Sequence, residues 1–301
     1  MPFALWKQPD LLPNALAEVL AIFPKTTELA ITMTGELCDC FETKAEGVAR
    51  ILASVRAASG QMPVRIWSTS GDFVSPEIAV EHPLLVAAAN WHALATWVCH
   101  WVPAGLALLL DIGSTTTDII PLYDGHVASR GRTDPERLRF QELVYTGVRR
   151  TPICALLKPG EGAAEFFATT LDVHLLLQNI AENAVATDTA DSRPETRYHA
   201  HARLSRMFCS DPVLTKPEDT LRFAREIADR QLSIIRDAVE QQPEVSVIIT
   251  SGSGEFLARQ AIAPTIDLFT HHLSLGELLG PEIAACAPAY AVAMLAEARP
   301  I

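Results

Sequence analysis

The stretch Leu106-Ala-Leu-Leu-Leu-Asp-Ile-Gly-Ser-Thr-Thr-Thr-Asp-Ile-Ile-Pro-Leu-Tyr-Asp-Gly-His-Val127 decides how the rest of the chain reads. Leu106 to Ile112 is an almost wholly apolar strand, Thr115 to Leu122 is a second, and Asp124-Gly125 turns the chain into a third at 126–130, giving a three-stranded meander. At the first tip Gly113 permits a tight turn and close backbone approach, while Ser114, Thr115, Thr116 and Thr117 set hydroxyls beside backbone N–H donors. Such a tip can wrap a phosphate. Asp111 and Asp118 at its two ends would repel a bare phosphate, and a hydrated Mg2+ removes that conflict. The sequence therefore predicts Asp111 and Asp118 as catalytic carboxylates that hold Mg2+ through water, with Gly113 to Thr117 binding phosphate.

Around the meander, apolar periodicity alternates between helix and strand. Upstream, it predicts helices at 10–22, 44–58 and 83–101 and strands at 27–33 and 63–69. Downstream, 132–215 is irregular and rich in Pro, Arg, His and Thr, an insertion of loops and short helices. Regularity returns with a helix at 217–241, a strand at 245–250, the turn Ser251-Gly-Ser-Gly254, a helix from Glu255, a strand at 265–269 and a helix at 281–298. The alternation predicts an α/β protein with parallel sheets, divided into 1–105 and 106–301. Gly252, Ser253, Gly254 and Glu255 open a helix after a buried strand, an arrangement that offers N–H groups to a nucleotide or substrate anion. No Walker lysine accompanies them. The first half repeats the series of the second without its meander.

The 301 residues are 49% hydrophobic and 20% charged, which suits two globular domains and excludes a disordered or low-complexity chain. A net charge of −12 works against nucleic acid or an anionic membrane as partner, so a phosphorylated small molecule must be held by a local site. Six scattered cysteines predict a reducing, cytoplasmic setting. His82 to Leu110 carries no Asp, Glu, Lys or Arg, yet Asn90, His92, His100 and Pro103 interrupt it, which favours a buried helix and strand over a membrane span. Trp91, Trp97 and Trp101 are expected in the core. Arg130, Arg132, Arg149 and Arg150 could grip a second phosphate or a carboxylate. Of these Arg150 joins Asn90 as a candidate substrate contact, with His92 beside it. Asp172 and His174 fit either an acid/base pair or, for Asp172, a helix N-cap, and His271-His272 reads as a surface loop.

The order meander, insertion, long helix, strand, glycine turn, helix resembles the second domain of the actin, sugar kinase and Hsp70 superfamily. The resemblance implies a two-domain α/β actin-like ATPase superfold whose first domain lacks its N-terminal strand meander. Four motifs narrow it. They are Asp111 to Asp118; Thr34-Gly35-Glu36-Leu37 through Val48; Ala89-Asn90-Trp91-His92; and Tyr145-Thr146-Gly147 through Pro152. Together they are similar to the hydantoinase A/oxoprolinase-related family, in its tetrahydromethanopterin-linked one-carbon branch. That likeness implies a cytoplasmic transferase of methanofuran biosynthesis. It would join an aminomethylfuran diphosphate to the phenol of γ-glutamyltyramine with loss of pyrophosphate, using Mg2+ and without a requirement for ATP. The wider family implies ATP-dependent amide or lactam hydrolysis as an alternative, and a non-catalytic nucleotide-binding module is a third. Family members open with an Asp-x-Gly-Gly phosphate loop, whereas Met1 to Lys7 resembles the segment just after it.

Overall fold

A computed structural model describes residues 3–264 and 270–299. In chain order its elements are α1 (Leu12–Ile22), β1 (Leu29–Ile31), α2 (Lys44–Ser59), β2 (Val64–Trp67), β3 (Phe73–Val74), α3 (Pro76–Glu81), α4 (Asn90–Val98), β4 (Leu106–Ile112), β5 (Thr117–Tyr123), β6 (His126–Val127), α5 (Asp134–Arg139), β7 (Leu143–Val144), α6 (Thr170–Leu176), α7 (Arg197–Met207), α8 (Pro217–Glu240), β8 (Val247–Ser251), α9 (Glu255–Ile262), β9 (His271–Ser274), α10 (Leu275–Leu279), α11 (Pro281–Ala284) and α12 (Ala287–Ala298). They form two compact units, Met1–Gly105 with Leu122–Arg137 and Cys286–Ile301, and Leu106–Pro121 with Leu138–Ala285. Beyond the division expected at 105/106, two later segments thus pack with the first unit. Among the described residues no helix is long and apolar enough to cross a membrane.

In the first unit β1 and β2 pair in parallel, Leu29 opposite Val64 and Ile31 opposite Ile66, and β3 returns antiparallel on β2. Helix α2 starts where the Thr43 side chain accepts from Glu46 N–H. Its Val48, Ile51, Leu52 and Val55 recur at helical spacing and are buried, and the first three pack with Met33 and Ile66. Gly47 is required there, because a Cβ would lie 2.1 Å from the Glu36 carbonyl oxygen. The helix expected over 83–101 is shorter: Ala88 takes φ +49° and α4 begins only at Asn90. Along α4 lies α12, with Trp97 edge-on to Tyr290 at 5.2 Å. Trp91 carries the buried Arg137 guanidinium 4.0 Å above its ring. The helix expected at 281–298 breaks at Ala285 and Cys286, since Pro288 has no N–H for the carbonyl four residues back and its ring would crowd it.

The second unit is built on β4, whose six residues Ala107 to Ile112 are all buried, with β8 parallel beside it and β9 parallel beside β8. On its other side β5 follows, with β7 antiparallel to β5; the last residues of β5 run into the first unit and pair with β6. Ile235 and Val239 of α8 and Leu257 and Ala261 of α9 close over Leu108, Leu110 and Ile248. The strand expected at 265–269 lies outside the described residues. His271 and His272, expected in a surface loop, instead belong to β9, where His271 and His272 register with Val247 and Ile248. Their alternation with Leu273 is too short to be distinguished from a loop by pattern.

Helix α6 in the 132–215 region starts with a capping box, Thr169 as N-cap and Asp172 at the third position, so Asp172 is not itself the cap. Asp172 Oδ1 accepts from Arg203 Nε at 2.7 Å, both residues being buried, and Arg203 Nη1 reaches Asp191 at 2.9 Å. Burial raises the Asp172 carboxyl to about 6 although Arg203 opposes the shift. Removing the guanidinium leaves a buried acid without its partner. Arg203→Met should cost about 3–5 kcal/mol in urea unfolding at pH 8 and less at pH 5, where the carboxyl is protonated. Equal small losses at both pH values would contradict that role.

Candidate functional site at the β4–β5 tip

The tip follows from its sequence. Gly113 N–H donates to the Thr116 carbonyl at 2.9 Å, which leaves Ser114 and Thr115 at the turn with their hydroxyls 3.3 Å apart. Ser114 is exposed, and Gly113, Thr115 and Thr116 are half-buried. Thr117 departs from the expectation. It is fully buried and its hydroxyl donates to the Thr146 carbonyl at 2.8 Å, so it anchors the loop and has no hydroxyl left for a phosphate.

Residues 146–151 brace the tip from behind. Val148 N–H donates to the Gly113 carbonyl, and Arg149 and Arg150 N–H both donate to the Ser114 carbonyl, each at 3.0 Å. Gly147 sits so close that a Cβ would stand 2.6 Å from Ser114 C and Thr115 N. Its carbonyl accepts from the Thr170 hydroxyl at 2.7 Å and from Gln231 Nε2 at 2.8 Å. A carbonyl can only accept, which fixes the Gln231 amide and turns Oε1 to His174 Nε2 at 3.0 Å. His174 therefore carries its proton on Nε2, while Nδ1 accepts from Asn179 Nδ2 at 3.2 Å. Burial holds this imidazole down at about 4, neutral and structural. Asp172 and His174, read as a possible acid/base pair, thus serve different partners. Sequence reading missed Gln231, yet its signal was present: a polar residue between Ile227 and Ile235 on the buried face of α8.

The second glycine motif lies directly on the end of β4. In the parallel register Asp111 is opposite Ser251, and Gly254 N–H donates to the Ile112 carbonyl at 2.8 Å. Gly252 takes φ +90°, and a Cβ there would lie 2.3 Å from Ile112 O and 2.7 Å from Asp111 Oδ1. Ser253 is exposed at this turn. Glu255 departs from its expected ligand role. Its Oε1 accepts from the Thr250 hydroxyl at 2.8 Å and its Oε2 from Gly276 N–H at 2.9 Å, and His272 Nε2 donates to Thr250 Oγ1 at 2.8 Å. Those bonds knit β8, β9 and α10 together. Arg150 is exposed at the brace, Arg149 pairs with Glu195, and Asn90 is a half-buried residue of the first unit.

Asp111 and Asp118 are both buried, and Asp111 Oδ1 has no hydrogen-bond partner. Burial pushes the Asp111 carboxyl up to about 7, the like charge of Asp118 adds to the shift, and Ser251 opposes it. No third His, Cys, Asp or Glu joins a cluster with metal-ligand geometry among the described residues. Two hard carboxylates beside a hydroxyl-rich tip fit Mg2+, which keeps several waters and takes one or two protein carboxylates with substrate phosphates.

The hydantoinase/oxoprolinase family model matches residues 28–299. The chain is 32% identical over 304 residues to the (4-{4-[2-(γ-L-glutamylamino)ethyl]phenoxymethyl}furan-2-yl)methanamine synthase of Methanocaldococcus jannaschii, covering 97% of this chain and 88% of that one. A Methanococcus vannielii synthase of the same name is 32% identical over 199 residues, covering 62% of this chain and 89% of its own. Among solved structures, nucleotide-free acetone carboxylase superposes with TM-score 0.51 at 14% identity, over 94% of this chain and 49% of that one. That likeness concerns the fold, a two-domain α/β arrangement of the actin-like ATPase kind.

The raised Asp111 carboxyl sets a pH dependence. The folded chain holds a proton there that the unfolded chain has released between about pH 4 and 7, so this contribution to stability is complete at low pH and lost as pH rises through about 7. Asp111→Asn should therefore gain stability relative to the parent chain as pH rises across that window, measured by thermal unfolding without divalent cations. Parallel curves for the two proteins would contradict it.

Proposed function

Because the chain belongs to the hydantoinase/oxoprolinase family, we propose that it is a synthase of methanofuran biosynthesis which makes an aryl ether with release of pyrophosphate. The observation that carries this reading is the near-full-length likeness to a synthase whose product, by its name, contains a phenoxymethyl-furan bearing an aminomethyl group. The electrophile is then an aminomethylfuran diphosphate and the nucleophile the phenol of γ-glutamyltyramine. The bond between the furfuryl carbon and the bridging oxygen breaks, its electron pair leaves with pyrophosphate, the phenol oxygen bonds to that carbon, and the phenol proton passes to solvent.

The tip residues suit the leaving group. Ser114 and Thr115 offer hydroxyls and backbone N–H groups to the diphosphate, and Gly113 lets the backbone approach it. The brace from Gly147, Gln231 and His174 supports those donors before the reaction begins. Mg2+, held through water by Asp111 and Asp118, would supply countercharge for the departing pyrophosphate. The second glycine turn, with exposed Ser253, adds donors for substrate or nucleotide anions at the same end of β4.

Incubation with the two substrates and Mg2+ should release one pyrophosphate per ether formed, with no ATP added. Asp111→Asn should lower kcat by about 100-fold or more while retaining the fold. Glu255→Gln should act mainly through stability. ATP consumption coupled to amide or lactam opening, with no ether product, would replace this reading by the hydrolase one.

A further inference from the structure

Hydrogen bonding fixes one imidazole of the first unit as a donor. Trp67 Nε1 donates to His92 Nδ1 at 3.3 Å, and an indole N–H cannot accept, so Nδ1 bears the lone pair. The Thr96 hydroxyl, also 3.3 Å from Nδ1, is then a second donor to it. The ring proton resides on Nε2. Burial, aided by the charges of Arg132 and Arg137, holds His92 down at about 4, so the ring is neutral at physiological pH.

His92 lines a cavity of about 430 Å³ together with Ser70, Trp91, Thr96, Arg132 and Arg299. The volume falls within the usual range of small-molecule sites. Among the described residues its lining includes two arginines and no Asp or Glu, although the chain as a whole has a net charge of −12. Arg299 is positioned by a bond from Nη1 to the Gly71 carbonyl at 2.7 Å and by the Trp67 ring 5.3 Å away. Its nearest acid, Asp72 at 3.6 Å, has a side chain 77% exposed and is not part of the wall. Thr69, Ser70 and Gly71 follow directly on β2, one of the parallel pair, so the cavity opens at the carboxyl end of that strand. Open α/β sheets hold ligands there.

We propose that this cavity binds a small organic carboxylate, with Arg132, Arg299 and the His92 Nε2–H as its oxygen-binding donors. A planar carboxylate suits guanidinium forks, and a neutral imidazole donor adds a hydrogen bond without a third charge. The site rests on the first unit alone and does not depend on the proposed ether synthesis.

The test titrates the full chain with succinate and propionate, and with propionamide and inorganic phosphate as comparisons, by calorimetry and by nitrogen-15 NMR of the histidine rings. A saturable carboxylate, a shift of the His92 Nε2–H resonance on binding, and weakening of about tenfold in Arg132→Gln with unchanged melting temperature are the expected results. Arg299→Gln serves as the second variant and should weaken binding likewise. Absence of carboxylate binding, equal binding of propionamide, tighter binding of inorganic phosphate, or affinity unchanged in both arginine variants would each overturn the proposal.

Discussion

The second unit depends on how closely one backbone lies on another at the end of β4. Gly252 and Gly254 pack so closely against Ile112 and Asp111 that a Cβ would fall 2.3 Å from the Ile112 carbonyl oxygen at Gly252 and 2.4 Å from the Ile112 side chain at Gly254. That contact turns two motifs far apart in sequence into one end of one sheet. Asp111 lies buried beside that contact; burial and the charge of Asp118 raise its carboxyl, and one of its oxygens has no hydrogen-bond partner. A buried carboxyl with a raised pKa is the kind of group that marks functional sites, and it motivates the proposed cation role of Asp111.

The tip is held by a similar constraint on its other side. Gly147 lies against Ser114 and Thr115, and its carbonyl is fixed by Thr170 and by Gln231, whose amide is oriented in turn by neutral His174. A polar chain through the core is favourable only when each member is satisfied, and here each named donor meets an acceptor. The consequence is a turn whose backbone is set in advance, as the proposed diphosphate site would require.

Much of this was legible in the sequence because it rests on short-range pattern. The buried run Leu106 to Ile112, the tip after it, α8 and the strand before Ser251 follow from periodicity and turn residues. What escaped depends on tertiary partners. Thr117 and Glu255 have the right chemistry for ligands, but Thr146, Thr250 and Gly276, between 5 and 29 residues away, take their side chains first. The His271-His272 pair joins a sheet through register with β8, a relation that no local pattern expresses. The breaks at Ala88 and before Pro288 show the opposite case, local backbone chemistry interrupting helices that apolar periodicity alone would have carried through.

In the proposed reaction the diphosphate held at the tip leaves with its bridging oxygen while the phenol oxygen becomes the ether. Oxygen-18 placed at the bridging position of the aminomethylfuran diphosphate reports on this directly by mass spectrometry of both products. The label is expected to leave with pyrophosphate, and the ether to carry none. Label retained in the ether would mean that the furfuryl carbon–oxygen bond survives and that the phenol's own oxygen is the one lost, which contradicts displacement at the furfuryl carbon.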